Sequence, residues 1–269
     1  MKKLFDLSGR VVFVTGALGR LGVFWTRTFL DAGAEVLGFD RPGTPVPADF
    51  RALLKRNKSR LALVRGDVTR RSDIERARAL ARRRWRGVSV LVNNAGIDQP
   101  PRILKRNDRF EDVPLNDMKK TFDVNLFGAV QALQVFGEDL AASRRGSVIN
   151  IGSLYAEVSP DQRYYDHLST DPPFLKPLAY GASKAALVNV TKYLATLWAL
   201  RGVRVNALSP GGVEGGQDDR FKAKYTARVP MGRMATLEDL RGPALFLASE
   251  ASRYVTGINL VVDGGYTAW

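Results

Sequence analysis

Seven short apolar runs recur along the 269 residues, each closed by Gly, Asp, Asn or Pro and separated from the next by a helix-length segment. They are VVFVTG from Val11, AEVLGFD from Ala34, LALVRGD from Leu61, VSVLVNNAG from Val88, GSVINIGS from Gly146, VRVNALSPGG from Val203 and INLVVDGG from Ile258. A strand with one wet face alternates apolar and polar residues. These runs are continuous and rich in β-branched residues, as strands are when crossover helices cover both faces. The pattern predicts an α/β chain built on a doubly wound sheet of about seven mostly parallel strands. No internal repeat, low-complexity tract or linker interrupts it, so residues 1–269 are expected to form one domain, long enough to bury a large core.

The first run ends in TGALGRLG, in which Gly16, Gly19 and Gly22 lead into a helical pattern. Glycines after a strand let the backbone turn tightly and approach a pyrophosphate, which then sits at a helix N-terminus. Arg20 and Leu21 fall within the same loop. The second run ends at Asp40, eighteen residues beyond Gly22. A carboxylate there accepts from both ribose hydroxyls of NAD and repels the 2′-phosphate of NADP. The expected cofactor is therefore NAD, with NADP less favoured. Arg20 and Arg41 offset this slightly, because either can contact a phosphate.

In AYGASKAALVNVTKYLA, from Ala179, Tyr180 and Lys184 stand four positions apart with only Gly, Ala and Ser between them. On a helix they project from one face. A free tyrosine has a pKa of about 10 and is a poor proton-transfer catalyst at neutrality. An adjacent ammonium favours the phenolate, and the pair then becomes an acid/base that works near pH 7. Taken alone, the spacing also suits an ordinary i,i+4 pair on an amphipathic helix.

Further motifs occur in a fixed order: GDV at Gly66, NNAG at Asn93, VN ending at Asn125, NIGS ending at Ser153, YGASK at Tyr180, SPGG at Ser209 and a terminal YVTGINLVVDGG. With these the chain resembles the short-chain dehydrogenase/reductase family over essentially its whole length, in the ordinary single-domain branch with a Rossmann-type fold. The resemblance implies that Tyr180 is the general acid/base and that Lys184 lowers its pKa and holds the nicotinamide ribose. Ser153 would bond the substrate oxygen, and Asn125 would steady a water that relays protons to Lys184. Asp67 and Val68 would border the adenine, Asn93, Ala95 and Gly96 would line the cofactor, and Pro210, Gly211 and Val213 would hold its carboxamide end. Hydride transfer makes or removes an alkoxide, which oriented donors must stabilise.

Composition removes other chemistries. The chain has no cysteine and one histidine, His167, which excludes disulfides, thiolate sites and cysteine nucleophiles and disfavours a multi-histidine metal site or a Ser-His-Asp triad. No metal is expected. No apolar window is long enough to span a membrane, and the polar lead before Val11 does not read as a secretory segment, so a cytoplasmic protein without a membrane partner is expected. The net charge is +14, and residues 51–86 hold 14 Lys and Arg against Asp67, Asp73 and Glu75. In SDIERARALARRRW, Ile74, Ala77, Ala81 and Trp85 share one helical face and the arginines take the others, with Ser72 and Glu75 expected as a capping box. This reads as a solvated helix face. Nucleic acid is disfavoured as a partner because no aromatics interleave with the basic residues.

Three departures from the family pattern matter. Arg20 stands where the usual loop has Gly, the threonine common after the PG turn is absent from PGGVEGGQDD, and Ser153 and Tyr180 are 27 positions apart, about twice the common gap. The insertion, about 154–178, contains Tyr164, Tyr165 and His167 and is expected to shape a pocket for a polyhydroxylated molecule. It resembles bacterial sugar-pathway and flagellin-modification oxidoreductases, and the opening FDLSGRVVFVTG resembles gluconate-type dehydrogenases. A segment at about 212–235 is expected to close over substrate, followed by a helix capped by Thr236 with Asp239. Leu187, Val190, Leu194, Leu197 and Trp198 extend the apolar face of the Tyr180 helix, which the family pairs across a two-fold axis, implying a homo-oligomer, dimer or tetramer. The expected reaction interconverts a secondary alcohol and a ketone on a small polar or carbohydrate-like molecule. The alternatives are reduction of a 3-oxoacyl thioester and a non-catalytic dinucleotide-sensing regulator.

Overall fold

The computed structural model describes residues 4–98, 109–168 and 171–269. Its seven strands are β1 (Val11–Thr15), β2 (Glu35–Asp40), β3 (Leu61–Arg65), β4 (Val90–Asn93), β5 (Gly146–Ile151), β6 (Val203–Pro210) and β7 (Asn259–Val262). All pair in parallel, in the order β3-β2-β1-β4-β5-β6-β7. Strand order reverses between β1 and β4, and the carboxyl ends of these two strands frame a crevice.

The continuous apolar runs are explained by two buried layers. Val12, Val14, Val36, Val90 and Val92 face α1 (Arg20–Asp31) and α8 (Arg241–Ala248), packing on Phe24, Trp25, Phe29 and Leu247. Their neighbours Val11, Phe13, Leu37, Phe39 and Leu91 face the other way, onto Ile74, Ala77 and Ala81 of α3 (Arg71–Trp85) and Leu133 and Phe136 of α5 (Gly128–Ala142). Successive side chains point to opposite faces, so a strand covered twice is mostly apolar, and the polar residues it buries, such as Ser147 and Asn150, are hydrogen-bonded. Each fully buried large side chain contributes about 1.5–3 kcal/mol. Between α3 and β4 the chain turns in two left-handed residues, and α2 (Ala48–Arg56) lies between β2 and β3. Among the described residues no helix is long and apolar enough to cross a membrane.

The Ser72 capping box does not form. Helix α3 begins at Arg71 with Arg70 as its unassisted cap, so Ser72 lies already inside the first turn. Asp73 instead accepts the Asp67 N–H at 2.8 Å, and Glu75 pairs with Arg71 at 2.8 Å. The arginine-rich face is also only partly solvated. Arg78 and Arg82 converge on the buried Asp139 of α5 at 2.8 and 2.7 Å, and Arg78 also holds Glu138 at 2.7 Å. Nor does Thr236 cap the next helix: Asp239 accepts from the Thr236 N–H at 2.7 Å and its hydroxyl at 2.9 Å, but the short 3₁₀ turn ahead of α8 has Leu237 at its start and no side-chain cap.

The insertion folds into a third, aromatic core. Tyr164, Tyr165 and Phe174 pack on Phe221 and Tyr225 of α7 (Asp219–Thr226) and on Tyr266 near the C-terminus, and Tyr164 and Tyr266 share a hydroxyl bond of 2.8 Å. His167 Nε2 lies 2.9 Å from Asp218, whose carboxylate caps α7 by accepting the Phe221 N–H. Tyr164 and Tyr165 are therefore core residues and not the pocket walls expected of them. Their rings find more apolar partners in α7 than a solvated loop could offer.

Candidate functional site

A cleft of about 420 Å³ opens where strand order reverses, lined by Gly16, Gly19, Arg20, Leu21, Gly22, Asp40, Arg41, Asp67, Val68, Ala95 and Gly96. Eleven residues expected to hold a cofactor thus share one surface. Gly16 has φ +65°, and a Cβ there would stand 2.9 Å from the Ala95 Cα. At Gly19, the N-cap of α1, a Cβ would meet only the Gly16 carbonyl oxygen, at 3.4 Å. The loop is therefore a bare cradle at a helix N-terminus, as a pyrophosphate requires. Asp40 Oδ2 accepts the Leu18 N–H and Oδ1 the Arg41 N–H, each at 2.8 Å, which fixes the carboxylate at the cleft. Asp67 accepts from the Thr69 N–H and hydroxyl, stabilising the turn at the cleft's other edge.

Residues outside the expected set hold this cleft in shape. The Thr15 hydroxyl accepts from the Asn94 and Ala95 N–H groups, both at 3.0 Å, and Asn94 Nδ2 donates to the Thr15 and Gly16 carbonyls. Trp25 Nε1 donates to Asn94 Oδ1 at 2.9 Å. Asn94 stands within NNAG and so was visible as a motif member; nothing local to Thr15 or Trp25 signals their part. Asn93 points away from the cleft and donates to Asn150, which donates to Thr191, in a buried chain between β4, β5 and helix α6 (Leu178–Trp198). Pro210, Gly211 and Val213 lie beyond the lining, at and after the end of β6. The Arg20 guanidinium reaches that segment by donating to the Glu214 carbonyl, so the residue that departs from the usual loop joins the two sides.

Next to the cleft, the first turns of α6 deliver Tyr180 and Lys184. Ser153, just past β5, lies close enough to Tyr180 to lower its pKa, and its Oγ accepts the Tyr155 N–H at 3.2 Å. Lys184 Nζ donates to the Ile151 carbonyl at 2.7 Å and lies 5.7 Å from the Tyr180 ring centre. Asn125 sits in a π-turn, Asp123–Phe127, between α4 (Leu115–Phe122) and α5. Its Oδ1 accepts the Ile97 N–H, and its Nδ2 donates to the Ile97 carbonyl and the Ser183 hydroxyl. Both amide donors are in use, so the side chain braces the backbone after NNAG.

Burial pushes the Tyr180 phenol up and the Asp98 carboxylate adds to this, while the bond to Ser153 draws it down. Burial likewise pushes the Lys184 ammonium down to about 8, with Asp98 opposing. Desolvation thus dominates the phenol, and the lowering expected of Lys184 does not appear in this environment. The lysine's shift has a consequence for stability. Its folded pKa lies below the unfolded value of about 10.4, so its penalty is complete below pH 8 and is relieved as pH rises towards 10. Lys184→Met is accordingly expected to be more stable than the parent at pH 7 by a margin that narrows by pH 10. Urea unfolding of both proteins across that range checks it, and a constant margin would refute it.

A larger hollow of about 530 Å³ lies between α4, the insertion and the start of α6, where Tyr155, Gln162, Phe174 and Lys176 form part of its wall. Glu157, Ser159 and Leu175 of the insertion line it as well.

The family model described as "Enoyl-(Acyl carrier protein) reductase" matches residues 16–267. An NAD-dependent glycerol dehydrogenase of Listeria innocua is 30% identical over 98% of this chain and 96% of its own length. A galactitol 2-dehydrogenase (L-tagatose-forming) of Cereibacter sphaeroides is 33% identical over 100% and 99%. The chain is a short-chain dehydrogenase/reductase. A gluconate 5-dehydrogenase of Burkholderia cenocepacia, solved with NADP and tartrate, superposes on this reductase-family chain with a TM-score of 0.83 at 28% identity, covering 100% of the chain and 99% of its own. As a short-chain dehydrogenase/reductase the protein is an NAD(P)-dependent oxidoreductase acting on CH–OH groups.

Proposed function

We propose that the protein interconverts a secondary alcohol and a ketone on a polyol or sugar, with NAD as the preferred cofactor. The observation that carries this is the convergence of Ser153, Tyr180 and Lys184 beside a glycine-floored cleft that ends at a fixed carboxylate, Asp40. The glycerol and galactitol dehydrogenases that it resembles support the polyol. A nicotinamide dinucleotide, when bound, supplies the hydride acceptor or donor. Gly16, Gly19 and Gly22 would carry its pyrophosphate, Asp40 its adenine ribose and Lys184 its second ribose. Ser153 Oγ orients the carbinol oxygen. Tyr180 Oη takes the proton from that oxygen during oxidation and returns it during reduction, and Lys184 supports the phenolate as it forms.

The test is NAD reduction by purified protein against a panel of polyols, aldonates and simple secondary alcohols. Turnover of polyols supports the reading, and none with any member would sink it. Cofactor choice has its own test. Asp40→Asn keeps an acceptor for Leu18 but removes the charge, and is expected to shift the NADP/NAD affinity ratio by about tenfold, or about 1.4 kcal/mol, in calorimetric titrations. An unchanged ratio would remove Asp40 as the determinant.

Tyr193 and Leu197 of α6 are more than half exposed. We assign that face to pairing with a second copy in a cytoplasmic dimer or tetramer, which light scattering would read directly.

A further inference from the structure

Arg20 breaks a local rule. It is the first residue of α1, where free N–H groups and the helix dipole make a cation unfavourable, and the first turn of that helix contains no acid to offset it. A rule broken at such a cost is expected where function needs it. The Arg20 side chain lines the cofactor cleft, is exposed, and leaves the glycine loop to donate to the Glu214 carbonyl. That acceptor is a main-chain oxygen and does not compensate the charge. A Cβ at Gly215 would stand 2.6 Å from Arg20 Nη1, so the guanidinium lies against the Gly215 backbone.

The segment that Arg20 reaches is a turn tied to itself and to α7. Gln217 Oε1 accepts the Gly215 N–H at 2.7 Å, and Gln217 Nε2 donates to the Val213 carbonyl at 3.0 Å. Asp218 follows as the cap of α7, and the Glu214 N–H donates to the Ala235 carbonyl at 2.7 Å. This turn is therefore joined to both ends of the closing segment, and the Arg20–Glu214 bond fastens it to the glycine loop. A guanidinium has five N–H donors in a fixed fork, more than one carbonyl can use. The others remain for an anion in the cradle.

We propose that Arg20 clasps the segment after β6 over the bound dinucleotide by bonding the pyrophosphate and the Glu214 carbonyl at once. An anion in the cradle removes the repulsion at the helix N-terminus and strengthens the clasp, so binding and closure become one coupled equilibrium. By reciprocity, the factor by which the pyrophosphate stabilises the closed segment is the factor by which closure tightens the dinucleotide. Closure needs the pyrophosphate and not the nicotinamide. The inference rests on the dinucleotide site proposed above and deepens it.

The experiment follows hydrogen exchange in peptides from residues 212–226, without ligand and with saturating NAD, ADP-ribose or AMP, alongside calorimetric affinities. The proteins are the parent, Arg20→Met and Gly215→Ala, whose methyl displaces the guanidinium, each first shown to be folded by its thermal midpoint. In the parent, NAD and ADP-ribose are each expected to slow exchange about tenfold, and AMP, which lacks the pyrophosphate, less than about twofold. Both variants are expected to lose most of that slowing and, with it, about tenfold in affinity for NAD and ADP-ribose. Slowing by NAD that stays within about twofold of the parent in Arg20→Met overturns the inference and leaves the dinucleotide site standing. So does a parent that binds NAD without slower exchange, or one that AMP slows as much as NAD does. A parent that binds neither NAD nor ADP-ribose overturns both.

Discussion

Tyr180→Phe is expected to lower kcat by about 10³-fold, within the range that general acid/base groups contribute, while NAD affinity stays within about twofold. The phenyl ring keeps the edge-on contact with Tyr155, at 6.5 Å between ring centres, and the approach of Lys184, so the fold of the site survives. What disappears is the hydroxyl beside Ser153 that can exchange a proton with the substrate oxygen. Initial rates at 340 nm and calorimetric titration with NAD separate the two effects. If the variant kept a tenth or more of the parent rate, Tyr180 would not be the acid/base.

Gly22→Ala is expected to weaken dinucleotide binding by at least about a hundredfold and to destabilise the fold by about 2–3 kcal/mol, as overpacking of a rigid site does. A Cβ at this position would lie 2.0 Å from the Gly16 carbonyl oxygen and 2.7 Å from backbone atoms of Ala17. These are main-chain atoms and cannot swing aside, so the turn itself must open. Gly19→Ala is the contrasting variant: its nearest neighbour is at 3.4 Å, and it should weaken binding with little loss of stability. Urea unfolding together with NAD titration tells the two apart. Equal losses of stability in both variants would contradict this account of the loop.

Much of the site was legible because its chemistry is local in sequence. Tyr180 and Lys184 meet through one helical turn, and the glycine loop is a single strand-turn-helix unit, so spacing alone places these groups. Ser153 and Asn125 were readable only through the family motifs. The Ser72 capping box was misjudged because a cap pattern does not say where the helix starts, and Asp73 is engaged by Asp67 across the turn. The insertion packs beside Tyr180, but Tyr164 and Tyr165 were assigned to the wrong environment. Their partners Phe221, Tyr225 and Tyr266 come from chain more than fifty residues away.

The sequence by itself determined the parallel, doubly wound sheet, the glycine-floored crevice at its switch point and the Tyr180–Lys184 pair. Apolar continuity, glycine placement and helical periodicity act over a few residues and need no knowledge of what packs against them. Only the tertiary structure decided that Arg20 crosses to Glu214, that the insertion and α7 share an aromatic core, and that Lys176 and Asp98 meet beside Tyr180. Each of these contacts joins distant segments, and which residue a long side chain meets is set by how the loops fold over the sheet rather than by its neighbours in the chain.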